Sequence, residues 1–369
     1  MTLFLRLLRR AVEREVSDVH LKTGCPVYFR IDGVLRPRKG DPLAEQDIQE
    51  ILDFLLNDDQ AAAFKENGQV DLAFVDEELG RFRVNVFRQR GSVSLVMRRI
   101  NTRIPDFEEL NLPPVTEWFA KQHRGLVLIT GTTGSGKSTT LAAIVDYINE
   151  RRRCHIVTIE DPIEYTHVDK KAVVNQREIG IDTLDFTSAL KSVMRQDPDV
   201  ILVGEMRDLE TFQAAISAAE TGHLVFSTLH TTNTTQTIDR IVDLFPHTHQ
   251  QQIRSQLALN LRGIMCQRLL PHASGEGRVP ACEVLVVSPA VSGLIRDNRV
   301  NRIPTAILQG HEDGMQSFND SLHGFLKRRM IAEEVAMHVS DNPAELELML
   351  KGIELAQMRG GLLGEGSRP

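Results

Sequence analysis

One short segment of the chain has the residue types and spacing of a phosphate-binding turn. Residues 131–138 read Gly-Thr-Thr-Gly-Ser-Gly-Lys-Ser and lie between an apolar run and a predicted helix. Glycines let the backbone wrap an anion with its N–H groups inward, and the N-terminus of the following helix favours negative charge. This P-loop pattern predicts binding of ATP with Mg²⁺, with Lys137 on the β- and γ-phosphates and the Ser138 hydroxyl on the metal. The predicted nucleotide contacts are Thr133, Gly134, Ser135, Gly136, Lys137, Ser138 and Thr139.

Two further apolar runs end in acidic residues that can serve hydrolysis. The run 200–203 leads into Gly204 and Glu205, and the run 156–159 leads into an acidic set made of Glu160, Asp161 and Glu164. Because α/β sheets bind ligands at the carboxyl ends of their strands, we expect these groups near the phosphate-binding turn. Glu205 is the single carboxylate after its run, so we predict that it activates the attacking water. The acidic set is predicted to contribute to the environment of the metal. For any one of its three residues, the alternative is a helix cap or a surface charge.

Two histidines, His223 and His230, flank the apolar run 224–229. This run is predicted to lie beside the strand that ends in Glu205, where an imidazole can sense or stabilise a terminal phosphate. We therefore predict that His223 contacts the nucleotide and that His230 takes part in catalysis. A buried histidine with satisfied hydrogen bonds is the alternative for each.

Four arginines, Arg81, Arg83, Arg98 and Arg99, lie in a predicted β-hairpin of the first hundred residues. A guanidinium supplied by a neighbouring subunit can neutralise the charge that builds up on a transferred phosphoryl group. These residues are therefore candidate arginine fingers. A solvated basic face is the alternative, and the periodicity alone favours it.

The residues 1–100 read as an α+β domain. An opening amphipathic helix is predicted to bury Leu5, Leu8, Val12 and Val16. Short strands follow, with a hairpin turn at Asp32-Gly33. The arginine hairpin alternates polar residues with a predicted buried set, which is Phe82, Val84 and Val86 on one strand and Val93, Leu95 and Met97 on the other. Residues 101–116 are rich in proline and are predicted to form an extended linker.

The residues 117–288 have the sequence pattern of an α/β core. Short apolar runs at 126–129, 156–159, 200–203 and 224–226 alternate with helical stretches such as 184–195 and 209–221. Continuous apolar strands that alternate with helices predict a parallel sheet covered on both faces. Residues 289–358 are predicted to form a helical subdomain, and the glycine-rich end, 359–369, a disordered tail.

The composition limits the class of protein. The chain has 369 residues, 41% of them hydrophobic and 25% charged, which is typical of a soluble globular protein. A net charge of −7 and 5% aromatic residues argue against a nucleic-acid-binding surface. The four cysteines include no Cys-x-x-Cys pair, which favours free thiols in a reducing compartment. No apolar stretch approaches the ~20 residues that span a bilayer, and the N-terminus lacks an uninterrupted signal segment, so we predict a cytoplasmic protein.

Along most of its length the chain resembles the PilT/PilU type of pilus-retraction ATPases, within the type II/IV secretion ATPase superfamily. The motifs that carry the resemblance are Ser17–Leu21, Arg30–Gly33, Gly80–Asn85, Gly131–Thr140, Thr158–Glu164, Asp197–Asp208 and Glu220–His230. In this family the last three are the Asp box, a Gly-Glu form of the Walker B motif and the His box. Their combination with the P-loop, or Walker A motif, is far more specific than the P-loop alone.

The resemblance implies a homohexameric ring whose subunits each join a PAS-like N-terminal domain to a RecA-like core, with ATP bound between them. It implies that Glu205 is the catalytic glutamate and that His223 and His230 are the His-box histidines. The residues that match the arginine-finger candidates of the family are Arg81, Arg83 and Arg98. The implied partners are an inner-membrane pilus platform protein and a paralogous retraction ATPase, without nucleic acid. Such a motor is peripheral at the inner face of the cytoplasmic membrane.

Two features bear on the place of the chain within the superfamily. Extension and export ATPases usually carry an extra N-terminal domain and a four-cysteine zinc insertion, and the lack of both here favours retraction over assembly. Ala290–Gly293 departs from the Ala-Ile-Arg-Asn that usually precedes Leu-Ile-Arg in the principal retraction motor, which leaves an accessory PilU-like paralogue as an alternative. The sequence is also compatible with a secretion or conjugation ATPase, a RecA-like nucleic-acid translocase or a nucleotide-binding regulatory subunit.

Overall fold

The computed structural model describes residues 3–14, 16–31, 34–100 and 103–352. The chain forms two compact units, each with its own hydrophobic core. The first runs to Arg103 and includes Ile163–Thr166, and the second consists of Ile104–Pro162 and the chain from His167 onward. The change of unit falls within the predicted linker, 101–116, while the domain boundaries inferred from the sequence stay predictions.

The first unit is built on one antiparallel sheet. Its elements are α1 (Leu3–Glu13), β1 (Asp18–Lys22), β2 (Tyr28–Ile31), β3 (Val34–Pro37), α2 (Glu45–Leu55), α3 (Asp58–Asn67), β4 (Gln69–Asp76), β5 (Gly80–Gln89) and β6 (Ser92–Arg99). The described strands pair in the order β3-β2-β1-β6-β5-β4, and every pair is antiparallel. Along β5 the predicted alternation is confirmed, because Phe82, Val84 and Val86 are buried and the residues between them are partly exposed.

The opening helix is amphipathic, but its buried face differs from the predicted one. The buried residues of α1 are Phe4, Leu7, Leu8 and Ala11. Of the residues predicted to face the core within the helix, Leu8 is buried, whereas Leu5 and Val12 are only partly covered. The observed set follows the i, i+3, i+4, i+7 spacing from Phe4, which gives a wider apolar stripe than the one drawn from Leu5. The predicted turn at Asp32-Gly33 lies outside the described residues.

The second unit alternates strands and helices before ending in helices. Its elements up to the last strand are α4 (Val115–Ala120), β7 (Gly125–Thr130), α5 (Lys137–Arg151), β8 (His155–Glu160), β9 (Val173–Glu178), α6 (Phe186–Val193), β10 (Val200–Val203), α7 (Leu209–Glu220), β11 (Leu224–Leu229), α8 (Thr234–Asp243), α9 (His247–Asn260), β12 (Leu261–Pro271) and β13 (Arg278–Val286). The helices that follow are α10 (Pro289–Arg296), α11 (Ile303–Gln309), α12 (Phe318–Lys327), α13 (Glu333–Val339) and α14 (Pro343–Leu350), with short 3₁₀ turns at Val300–Arg302 and His311–Asp313.

The central sheet has the order β13-β12-β7-β11-β10-β8-β9. All neighbouring strands are parallel except the β12–β13 pair. Every residue of β7, β10 and β11 is buried, as expected for strands covered by helices on both faces. The sequence therefore predicted the α/β class and the central strands correctly, whereas β9, β12 and β13 were not predicted.

The helices α12, α13 and α14 cover a separate hydrophobic cluster on the β12–β13 hairpin. Leu270 of β12 and Ala281 of β13 pack there against Phe318, Leu322 and neighbouring helix residues. These last helices are thus attached to the sheet at the strand pair next to β7.

Candidate nucleotide hydrolysis site

The turn between β7 and α5 has the backbone conformation of a phosphate cradle. Gly131, Gly134 and Gly136 have φ angles of 144°, 79° and 90°, which side-chain-bearing residues rarely adopt. At Gly131 an added Cβ would lie 2.4 Å from the carbonyl oxygen of Gln267 and 2.5 Å from Ser135 Oγ, so only glycine fits. The first backbone N–H groups of α5 have no partner within the helix and therefore suit an anion.

The side chains around this turn fit the binding of a phosphate group. Lys137 is buried, and its Nζ donates to the carbonyl oxygens of Gly131 (2.9 Å) and Thr132 (3.0 Å), which places the ammonium inside the turn. Ser138 and Thr139 follow on the first turn of α5 and are partly exposed, so the Ser138 hydroxyl is accessible to a metal bound beside a phosphate. Thr133 and Gly134 are exposed at the tip of the turn.

The sheet places the turn and the predicted catalytic residues along one edge. The cradle follows β7, His230 follows β11, Glu205 comes two residues after β10, and Glu160 ends β8, and these four strands are parallel neighbours. Two strand spacings separate β7 from β10, which is about 10 Å. The sheet order therefore brings an anion cradle and a carboxylate to one edge at a separation suited to a terminal phosphate and a water.

Glu205 is in direct contact with two nitrogen-bearing side chains. Arg207 Nη2 lies 2.7 Å from one carboxylate oxygen of Glu205, and His230 Nε2 lies 3.3 Å from the other. Burial by itself raises the pKa of Glu205, but the hydrogen bond from Arg207 and the charge of His230 outweigh it and hold the pKa below its usual value. The carboxylate is thus kept ionised, the state that a general base requires. Arg207 was not among the predicted residues.

We expect the replacement of Arg207 by Gln to shift the acid limb of the pH–rate profile to higher pH. Arg207 lowers the pKa of Glu205, so its loss raises that pKa, and the base becomes protonated at a higher pH than in the unmodified chain. The measurement is the rate of ATP hydrolysis as kcat/KM between acid and neutral pH. Arg195→Gln, a change of an exposed arginine after α6, is the control. An acid limb that stays in place in Arg207→Gln would show that Glu205 does not govern it.

A glycine occupies the position before Glu205 for a steric reason. An added Cβ at Gly204 would lie 3.1 Å from the carbonyl oxygen of Ile159 and 3.3 Å from the Cα of Glu160, both in the backbone of the adjacent strand. The Gly204 N–H also donates to that Ile159 oxygen at 2.7 Å. The ends of β8 and β10 therefore approach closely, and the first carboxylate after β10 comes at Glu205.

The three members of the acidic set have different surroundings. Glu160 Oε1 accepts hydrogen bonds from Thr158 Oγ1 (2.6 Å) and Gln176 Nε2 (3.2 Å). Asp161 is exposed and lines a cleft of about 500 Å³ with Glu205 and Arg207. Glu164 belongs to the segment grouped with the first unit. Among the described residues, no cluster of three or more His, Cys, Asp and Glu side chains is arranged to hold a metal.

His223 lies at the opposite edge of the sheet from the cradle. It precedes β11, whereas His230 follows it, so the two histidines are separated by the length of the strand, about 20 Å. His223 Nδ1 is within hydrogen-bond distance of the Ala218 carbonyl oxygen (2.9 Å) at the end of α7. Within this second unit, the extended strand keeps the two histidines apart, and the predicted role of each stays a prediction.

The three arginines that match the arginine-finger candidates of the family lie on β5 and β6 of the first unit. Arg83 and Arg98 are paired across the two strands. Arg98 Nε donates to Asp18 Oδ1 at 2.8 Å, and the Arg98 side chain remains 70% exposed. Arg83 lies 3.9 Å from Asp71, and Arg81 is partly exposed on the same strand. Their action on a neighbouring subunit stays a prediction.

The parallel sheet, the glycine turn after β7 and the carboxylate after β10 define a RecA-like P-loop nucleotide-binding protein. A family model described as "Type II/IV secretion system protein" matches residues 1–342, and the chain belongs to this family. Within the described ranges, none of the helices combines the length and the apolar character needed to cross a membrane.

Two relatives from Pseudomonas aeruginosa are similar over almost their whole length. The type IV pilus retraction ATPase PilT is 44% identical over 337 residues, which are 91% of this chain and 98% of the relative. The type IV pilus ATPase PilU is 40% identical over 348 residues, which are 94% of this chain and 90% of the relative. Among solved structures, the crystal structure of the pilus retraction motor PilT with bound ADP matches at 46% identity and a TM-score of 0.87, covering 94% of this chain and 99% of that one.

Proposed function

We propose that the chain is an ATP-hydrolysing motor that powers the retraction of type IV pili. The observation that carries this proposal is the shared sheet edge, where the Lys137 cradle and the Glu205–His230 pair lie two strands apart. The similarity to PilT extends through both units and includes a structure with bound ADP, which supports the same ligand and activity here. The P-loop alone would support only nucleotide binding.

In this proposal ATP binds with its β- and γ-phosphates in the cradle, where Lys137 and the backbone N–H groups of α5 offset their charge. Glu205 accepts a proton from water as the water oxygen attacks the γ-phosphorus. The bond from that phosphorus to the β-phosphate oxygen then breaks, which gives ADP and phosphate. His230 keeps the Glu205 carboxylate oriented and faces the same edge. When bound, Mg²⁺ supplies charge neutralisation on the phosphate oxygens, with Ser138 as its protein ligand.

The remaining predicted residues fit an assembly of several copies. We propose a homohexamer in which Arg81, Arg83 or Arg98 of one subunit stabilises the transition state in the next. His223, at the far edge of the sheet, would then serve a subunit interface. Rearrangement of the two units during the ATP cycle would drive a pilus platform protein at the inner face of the cytoplasmic membrane, alone or with a paralogous ATPase.

Gene deletion tests the biological part of this proposal. We expect a deletion strain to carry excess surface pili and to show no twitching motility, since assembled pili are no longer withdrawn. Expression of the intact chain should restore movement, and expression of Lys137→Ala should not. Loss of surface pili on deletion would contradict retraction and indicate assembly, and normal pili with a secretion defect would indicate a secretion ATPase.

A purified-protein assay separates a motor from an accessory paralogue. We expect the chain to hydrolyse ATP without a second ATPase. Hydrolysis that requires a paralogue would instead support the accessory role, and hydrolysis stimulated by DNA or RNA would favour a nucleic-acid translocase.

A further inference from the structure

The segment after His230 is attached to the β12–β13 hairpin at three points. The Thr231 carbonyl accepts from Cys266 Sγ (3.5 Å), and the Thr232 carbonyl accepts from Arg268 Nη2 (3.3 Å). The Thr234 N–H, at the start of α8, donates to Glu283 Oε1 at 2.7 Å. His230 itself has a side chain that is 42% exposed, so its own packing restrains it little. Its position depends on the backbone on both sides, which is the buried strand β11 before it and this segment after it.

Arg268 is the residue that joins this segment to the last helices. Besides Thr232, its guanidinium donates to the Val339 carbonyl (2.7 Å) and to the Asp341 carboxylate (2.9 Å). Its plane also lies over the Phe318 ring at 3.9 Å from the ring centre. One side chain, 24% exposed, thus contacts the His230 segment, α12 and the link from α13 to α14. Only a planar cation with several donors can make these contacts together.

On the sheet side, the residues that contact the segment lie at neighbouring positions of β12 and β13. Cys266 and Arg268 are two residues apart on β12, so their side chains are on the same face, and Cys266 is paired with Glu283 of β13. The three contacts to the His230 segment therefore arise from one face of one hairpin. The same face is covered by the hydrophobic cluster under α12–α14.

We propose that Arg268 is a positioning residue that holds the segment after His230 and thereby keeps His230 against Glu205. This role rests on the proposed ATP hydrolysis, since Arg268 would affect the rate of hydrolysis through the Glu205–His230 pair. Arg268 does not touch the cradle or Glu205 in any described contact, and its partners outside the segment are α12 and the α13–α14 link. One side chain thus joins the segment beside the proposed catalytic residues to the helices α12–α14.

Two measurements on the full chain test this role. The first is backbone hydrogen exchange of residues 231–236 without nucleotide, compared between the unmodified chain, Arg268→Gln and Arg328→Gln. Arg328 is the matched control, because its guanidinium also lies on a phenylalanine, Phe325, but its hydrogen bond is to Gly324 within its own helix. We expect faster exchange in Arg268→Gln only, since a lost anchor raises local opening.

The second measurement is steady-state ATP hydrolysis as a function of pH. We expect Arg268→Gln to lower kcat roughly tenfold, as for a misplaced catalytic contact, with a small change in KM. The acid limb should move to higher pH, because His230 contributes to the lowered pKa of Glu205. Arg268→Lys should recover part of the rate, and Asp341→Asn, which removes one exposed partner, should stay within about twofold.

The double variant Arg268→Gln with His230→Gln shows whether the two residues act together. Its acid limb should coincide with that of His230→Gln alone, since the route from Arg268 to Glu205 is then already removed. Unchanged exchange at residues 231–236, or an acid limb in Arg268→Gln identical to that of Arg328→Gln, would overturn the role. If the unmodified chain hydrolyses no ATP, the proposed function fails, and the exchange measurement still decides whether Arg268 holds the segment.

Discussion

Lys137→Ala is expected to reduce ATP hydrolysis by about 10²-fold or more, because one change removes the cation inside the phosphate cradle. The ammonium lies between the Gly131 and Thr132 carbonyls, within the turn that would surround the β- and γ-phosphates. Among residues 131–138, Lys137 is the only lysine or arginine. Both nucleotide affinity and turnover should therefore fall. The measurements are phosphate release and the binding of a fluorescent ATP analogue.

The control for this change is Lys121→Ala. Lys121 is an exposed residue of the same unit that pairs with Glu117 on the surface, where such a pair contributes little to stability. Thermal unfolding of both variants without nucleotide shows whether either change affects the fold. Hydrolysis at the normal rate in folded Lys137→Ala would contradict the assignment of residues 131–138 as the cradle.

Glu205→Gln is expected to reduce kcat by about 10²–10⁴-fold while leaving ATP binding within a few-fold. The amide has nearly the shape of the carboxylate but accepts no proton at neutral pH. The cradle, two strands away, is not altered, so the substituted chain should bind ATP and retain it. Single-turnover hydrolysis together with equilibrium ATP binding separates the chemical step from affinity.

Glu210→Gln is the matched control for Glu205→Gln. Glu210 is an exposed carboxylate in the first turn of α7 and lines the same cleft as Glu205. If both variants lose activity equally, the cleft requires negative charge and Glu205 is not specifically the base. If only Glu205→Gln is inactive, proton transfer at that position is the step removed.

The two variants differ in a way that distinguishes the roles of the residues. Lys137→Ala should fail at binding and at chemistry, and Glu205→Gln should fail at chemistry alone. In a strain that lacks the native gene, both should leave pili unretracted. A strain that twitches normally with either variant would show that hydrolysis by this chain is not what drives retraction.

Local sequence patterns determined the cradle and the central strands. A short run of consecutive apolar residues is typical of a strand buried on both faces, so β7, β10 and β11 were predictable. The glycine-rich residues 131–138 directly after β7 are typical of a phosphate-binding loop, so this turn was predictable too. The sequence also placed the arginines of β5 and β6 on one hairpin, but the contact between Asp18 and Arg98 was not predictable. Their side chains share a face through strand pairing between residues distant in the chain.

In the central sheet, β9, β12 and β13 were not predicted, and the reason can be identified for β9 and β12. The edge strand β9 is only partly buried, and its sequence carries no continuous apolar run. α9 passes directly into β12 at Asn260 and Leu261, with no glycine or proline to end the helix, so the apolar residues there are also compatible with a helix. Only pairing with β7 on one side and β13 on the other makes this segment a strand.

The sequence by itself determined which residues can bind phosphate and which can accept a proton, because those properties belong to residue types and to short spacings. The tertiary structure decided which of them meet. It placed Glu205 beside His230, and it placed His223 at the other end of β11. The physical reason is that strand order and strand length set these distances. Both depend on hydrogen bonds and packing between segments far apart in the chain, which no local pattern records.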